Sequence, residues 1–119
     1  MELVAFLGDD KETWGQITGL INRGNWEKII LVKTKLAKSY FAPKSKNTEE
    51  IIIDSSQQLV DLKSDIIKKL KSKLSGLEVS VSIASGNGKE HMALISALLS
   101  LPVGIRLTVF TKKGIEFIN

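Results

Sequence analysis

The sequence predicts an α/β fold, a Rossmann-like three-layer sandwich with a mostly parallel sheet and a C-terminal antiparallel β-hairpin. Short continuous apolar runs, such as residues 2–7 and 28–33, are typical of strands buried on both faces. Segments with helical periodicity alternate with these runs, which favours right-handed crossovers between parallel strands. The last two apolar runs are separated only by residues 111–114, and a turn this short joins antiparallel neighbours.

The predicted elements follow the order β-α-β-(α)-β-α-β-α-β-β. After the first strand, residues 11–23 show helical spacing, with Thr13 or Asp10 available as a cap and Gly24 after the last turn. Residues 58–74 carry the clearest apolar stripe, with lysines on the opposite face. The remaining predicted elements are strand 28–33, a short helix 35–41, strands 51–54 and 78–84, a buried helix 92–101 closed by Pro102, and strands 105–110 and 115–118.

Length and composition indicate a single domain over residues 1–119 and exclude several kinds of chemistry. The chain has 43% apolar and 25% charged residues, which is ordinary for a folded protein. With no cysteine there is no disulfide, no thiolate nucleophile and no cysteine-ligated metal, and one histidine excludes a His-rich metal cage. We expect no cofactor. Acids follow the first apolar run at once, and no apolar stretch reaches the roughly 20 residues of a membrane span, so a cytoplasmic location is expected.

The net charge of +4 is compatible with an anionic partner and is concentrated in particular segments. Residues 31–48 hold five lysines and no acid: Lys33, Lys35, Lys38, Lys44 and Lys46. This stretch is either a solvated loop or a flap that attracts a polyanion, with Tyr40 or Phe41 available to stack on a base.

The ends of the predicted strands indicate where a ligand would bind. In sheets of this type, ligands lie beyond the carboxyl ends of the strands, near the point where the strand order reverses. That rule selects residues 8–10, 33–35, 54–56 and 85–91. The ligand-binding candidates outside the last segment are Gly8, Asp9, Asp10, Lys33 and Thr34.

The most informative of these segments is Ser85-Gly86-Asn87-Gly88-Lys89. Two glycines allow a sharp turn and close approach to a ligand, the following helix directs free N–H groups outward, and Lys89 can reach a phosphate. The segment is neither a Walker A loop nor a dinucleotide fingerprint, because the required glycine and hydroxyl positions do not match. It is therefore either an anion-binding turn or a plain strand-to-helix turn.

Three further side chains have alternative interpretations. His91 is a candidate general acid, or a partly buried histidine hydrogen-bonded at the start of its helix. Asp9 and Asp10 are candidates for a divalent metal or a ribose hydroxyl, or else they are turn and helix-capping residues.

With the strand order, the 85–89 turn, the apolar helix and the closing hairpin 108–117 in place, the chain resembles a CRISPR-associated Rossmann fold (CARF) domain over nearly its full length. The resemblance implies a homodimer that binds a cyclic oligoadenylate in a pocket across its two-fold axis, in type III CRISPR antiviral signalling. The expected ligand is cyclic tetra-adenylate. It places Ser85, Gly86, Asn87, Gly88 and Lys89 against the ribose-phosphate ring, with Gly8 and Asp9 in the first-strand loop. Many members have a hydroxyl residue where this chain has Gly8-Asp9-Asp10.

The resemblance leaves more than one function open. A stand-alone domain is either a sensor that works with a separate effector protein or a ring nuclease. In the nuclease, a ribose 2′-OH attacks the neighbouring phosphate without a metal, Lys89 stabilises the developing charge and His91 donates to the leaving oxygen. A third possibility is a non-enzymatic Rossmann-like interaction module.

Overall fold

The computed structural model describes residues 1–40 and 47–119, with the backbone alone for Tyr40. The strands are β1 (Glu2–Leu7), β2 (Ile29–Lys33), β3 (Thr48–Ile52), β4 (Glu78–Ser82), β5 (Gly104–Thr111) and β6 (Gly114–Phe117). The α-helices are α1 (Trp14–Arg23), α2 (Lys35–Tyr40), α3 (Leu59–Leu70) and α4 (Gly88–Leu99), and a 3₁₀ turn, Lys11–Thr13, precedes α1.

The predicted fold class is confirmed. One six-stranded sheet has the order β3-β2-β1-β4-β5-β6, in which the first five strands are parallel and β6 is antiparallel to β5. The order reverses between β1 and β4, because the chain builds outward from β1 to β3 and then returns to the other side of β1. The carboxyl ends of β1 and β4 therefore flank the topological switch point, where ligands bind in sheets of this kind.

Helices cover both faces of the sheet and make two apolar cores. On one face α3 and α4 pack on alternate residues of the strands, such as Val4 and Val81. On the other face α1 and α2 pack on the intervening residues, such as Leu3 and Leu31. All six residues of β1 are buried, which agrees with a central strand covered on both faces. No helix in the described ranges has the length and apolar character needed to cross a membrane.

Strand β3 differs from the prediction, which placed it at residues 51–54. It begins at Thr48 and includes Glu49 and Glu50, which the apolar pattern excluded. The polar residues are tolerated because β3 is an edge strand, and because both glutamates pair with lysines: Glu49 with Lys28 and Lys73, Glu50 with Lys33.

Helix α4 also differs from the prediction, since it begins at Gly88 and not at Met92. Its start is set by a cap at Asn87, which the apolar pattern did not reveal. The helix is also less buried than its sequence suggests, because Met92 and Leu99 are 60% and 72% exposed.

Candidate functional site

The carboxyl ends of β1 and β4 enclose a cleft of 210 Å³ at the topological switch point. Its lining residues are Asp9, Asp10, Gly86, Asn87 and Glu90. The structure thus brings together the first-strand loop and the 85–91 segment, which the sequence placed at a common edge of the sheet. The cleft is also where the strand-order rule expects a ligand.

Hydrogen bonds made by Asp10 and Ser85 connect the two sides of this cleft. The Asp10 carboxylate accepts the Gly86 N–H at 3.0 Å and the Ser85 hydroxyl at 3.1 Å. The buried Ser85 Oγ in turn accepts the Gly8 N–H at 2.9 Å. These bonds join segments about 75 residues apart in the sequence, so the relative position of the two loops is fixed by the protein itself.

The same network sets the ionisation of Asp10. Burial acts to raise the pKa of its carboxyl, but hydrogen bonds from the Gly86 N–H, its own N–H and the hydroxyls of Thr13 and Ser85 outweigh burial and lower it. The carboxylate is therefore charged at neutral pH and acts as the acceptor that holds the turn.

Close backbone approach explains the glycines at positions 8 and 86. Gly86 has a φ of 106°, and a Cβ there would lie 2.8 Å from the Phe6 ring and 3.0 Å from His91 Nε2. A Cβ at Gly8 would lie 2.6 Å from the Gly86 Cα. Both positions require glycine for packing, and Gly86 requires it for its conformation as well.

Helix α4 starts with a capping box. The Asn87 side chain accepts the Glu90 N–H, and the Glu90 carboxylate accepts the Asn87 N–H, both at 2.9 Å. The other Glu90 oxygen accepts the Ser55 hydroxyl at 2.6 Å, and Glu90 is only 4% exposed. Glu90 therefore ties the end of β3 to the turn after β4. The sequence prediction missed this residue, although the spacing Asn-x-x-Glu is the signal for it.

Lys89 and the backbone around it carry the positive charge of the site. Lys89 is exposed, and its ammonium donates to the Ser55 carbonyl at 2.7 Å. The N–H groups of Gly88 and Lys89, in the first turn of α4, have no acceptor among the described residues. Free N–H groups at a helix start attract anions, and the neighbouring ammonium adds to that attraction.

Asp54, two residues after the end of β3, is influenced by this positive region. Hydrogen bonds from the Ser56 hydroxyl and backbone N–H lower the pKa of Asp54. The charges of Lys35 and Lys89 act in the same direction. The charges of two lysines from different helices therefore both favour the ionised form of this one carboxylate.

His91 is held beneath the turn. Its Nε2 lies 2.6 Å from the Ser85 carbonyl oxygen, so this nitrogen carries the proton and donates. The ring is partly buried and meets Phe6 edge-to-face, with centroids 6.2 Å apart. These contacts support the turn, and they match the second of the two interpretations of His91.

The remaining strand-end candidates, Asp9, Lys33 and Thr34, are all paired with other polar side chains. Asp9 is exposed, and its carboxylate accepts the Thr34 hydroxyl at 2.6 Å. Lys33 is fully buried, and its ammonium donates to Glu50 at 2.8 Å. Lys33 and Thr34 are absent from the residues that line the cleft.

Only part of the basic stretch 33–46 belongs to the described residues. Lys35 and Lys38 lie on α2 and are exposed. Phe41, Lys44 and Lys46 lie outside the described residues, as does the Tyr40 side chain, so the proposed flap remains a prediction.

The arrangement separates two kinds of polar chemistry. The cleft itself is lined by three carboxylates that already accept hydrogen bonds from the protein, and such a lining favours hydroxyl and amino donors over phosphate. Its outer edge, at the start of α4, presents N–H donors and an ammonium. Among the described residues, no three histidine, aspartate or glutamate side chains form a group that could hold a metal ion.

No protein-family model matches this chain, and no curated protein matches it significantly.

Proposed function

We propose that this domain is a nucleotide sensor in type III CRISPR antiviral signalling. Its ligand is a cyclic oligoadenylate, specifically cyclic tetra-adenylate. The single observation that carries the proposal is the cluster of positively polarised donors at the start of α4, at the topological switch point. There, the Lys89 ammonium lies with the N–H groups of Gly88 and Lys89, which have no acceptor among the residues that the structure describes. This same turn is one of the features on which the resemblance to CARF domains rests, beside the strand order, the apolar helix and the closing hairpin.

The polarity of the cleft suits the two parts of such a ligand. Phosphates of the ring lie over the start of α4, where the donors and the ammonium are. Ribose hydroxyls or adenine amino groups donate to the exposed Asp9 carboxylate inside the cleft. This division avoids placing a phosphate against Asp9, Asp10 and Glu90, whose charges would repel it.

The site is completed by a second copy of the chain. Helix α4 exposes an apolar stripe of Met92, Ile95 and Leu99, of which Met92 and Leu99 are largely exposed. Met92 lies one helical turn after Lys89, so a two-fold contact along this stripe brings two 85–89 turns toward one cleft. A ligand with two-fold symmetry fits an isologous interface of this kind. The homodimer is proposed to act in the cytoplasm with a separate effector protein.

The test combines binding with product analysis. The protein is incubated with cyclic tetra-adenylate in the presence of EDTA, its melting temperature is measured, and the nucleotide is recovered and separated by chromatography. A raised melting temperature with intact ligand is the expected result.

Other outcomes select other functions. Linear products in EDTA would replace the sensor with a metal-independent ring nuclease. No stabilisation by cyclic tri-, tetra- or hexa-adenylate would overturn the proposal and leave a Rossmann-like interaction module. A melting temperature raised equally in Lys89→Ala would remove the proposed ligand position.

A further inference from the structure

A second cleft, of 790 Å³, lies between α1 and the β5–β6 hairpin, away from the cleft at the switch point. Its lining residues are Gln16, Arg23, Phe110, Thr111, Lys112, Lys113, Gly114 and Ile115. Three of these eight are cations and none is a carboxylate. The cations come from two different elements, the last turn of α1 and the hairpin turn, so the positive charge stands on both sides of the cleft.

The charges of these three cations have no carboxylate partner among the residues that the structure describes. Within the described ranges, the ammonium groups of Lys112 and Lys113 and the guanidinium of Arg23 form no ion pair. All three residues are exposed. Other lysines of the chain, such as Lys28 and Lys73, do find carboxylates. An uncompensated group of like charges gains from a polyanion that displaces its counterions.

The floor of the cleft is apolar and packed against α1. Phe110 packs so closely on α1 that a Cβ at Gly19 would lie 2.5 Å from its ring, and Ile115 packs beside it in the same core. The two side chains are partly exposed. The Gln16 amide adds a hydrogen-bonding group to the lining, whereas the Thr111 hydroxyl already donates to the Glu116 carboxylate.

We propose that this cleft binds single-stranded nucleic acid. The cations on both sides bind the phosphodiester backbone. The face or edge of an unpaired base packs against the floor formed by Phe110 and Ile115. The apolar floor favours a single strand over a duplex, whose bases are hidden in the stack. It also favours nucleic acid over an acidic peptide, which would use the cations but leave the floor unfilled.

The test measures the anisotropy of a fluorescein-labelled oligo-uridylate of about 12 nucleotides as salt is raised. If the three cations neutralise three phosphates, a plot of log association constant against log salt concentration should have a slope of about −2. Lys112→Ala with Lys113→Ala is expected to reduce the steepness of the slope by about 1.4 and to weaken binding about tenfold at low salt. The matched control is Lys68→Ala with Lys71→Ala, two exposed lysines of the α3 region, which should bind as the wild type.

Three results would overturn the proposal. The first is equal loss in the cleft variant and the control, which indicates attraction to a basic protein in general. The second is binding lost in Lys89→Ala and kept in the cleft variant, which places the strand in the other cleft. The third is a complex that does not distinguish single strands from duplexes and from which poly-glutamate displaces the oligonucleotide. That result indicates that the natural partner is an acidic peptide. Failure of cyclic tetra-adenylate to bind leaves this proposal unaffected, because the two clefts share no residue.

Discussion

The Asp10 carboxylate and the Gly86 N–H lie 76 residues apart in the sequence and are joined by a hydrogen bond of 3.0 Å. This bond holds the loop after β1 against the turn after β4, and so it shapes the cleft at the switch point. Gly86 can approach the first-strand loop this closely because it lacks a Cβ. Asp10 accepts the Gly86 N–H because its carboxylate stays charged.

Asp10→Asn should destabilise the fold by about 1–2 kcal/mol at pH 7, because hydrogen bonds from Gly86, Ser85 and Thr13 lose a charged acceptor. The folded-state pKa of Asp10 lies below the ordinary value of 3.8. Its contribution is thus complete above that value and is lost as the pH falls through the folded-state pKa. Urea unfolding should therefore be measured from pH 7 to pH 2.5 for both proteins. The difference between their free energies of unfolding should shrink below pH 3.8. A constant difference across this range would contradict the assignment.

Gly86→Ala should cost about 2–3 kcal/mol, because the new methyl group meets Phe6 and His91 at a positive φ. Gly88→Ala is the matched control, since nothing lies within 4 Å of a Cβ there and the residue is in the first turn of α4. Chemical denaturation of both variants should separate them clearly. Equal stabilities would show that the turn does not have this conformation.

Ser85→Ala should cost about 1–3 kcal/mol, because it leaves the Gly8 N–H without its buried acceptor. Ser72→Ala, at an exposed position after α3, is the control and should stay within about 0.5 kcal/mol of the wild type. Hydrogen exchange at the Gly8 amide is a second readout, and it should accelerate in Ser85→Ala alone. Unchanged protection would mean that Ser85 does not hold the first-strand loop.

Glu50→Ala should destabilise the protein by about 1 kcal/mol, a modest figure because Glu50 is itself over a third exposed although Lys33 is fully buried. Adding Lys33→Met to Glu50→Ala should recover part of the lost stability, since the buried Lys33 ammonium is then absent. Thermal unfolding of the two single variants and the double variant measures the coupling between them. Strict additivity would show that the pair is not coupled.

The sequence was sufficient for the fold class because strand burial and helical periodicity are local signals. It also located the 85–89 turn, since glycines between an alternating strand and an apolar helix are readable in one segment. It did not reveal Glu90 as a link to Ser55, because that bond joins residues 35 positions apart. The sequence also places Lys33 in a basic stretch without showing its partner, because Glu50 lies in the part of β3 that the apolar pattern does not predict.

The central claim, that two copies of the α4 start bind one nucleotide ring, is tested most directly by calorimetric titration with cyclic tetra-adenylate. One ring should bind to two chains, and the affinity should be about tenfold or more weaker in Lys89→Ala, as for a lost charged hydrogen bond. Lys68→Ala, on the exposed face of α3, should titrate like the wild type. No heat of binding in the wild type, or one ring for each chain with Lys89→Ala unchanged, would contradict it.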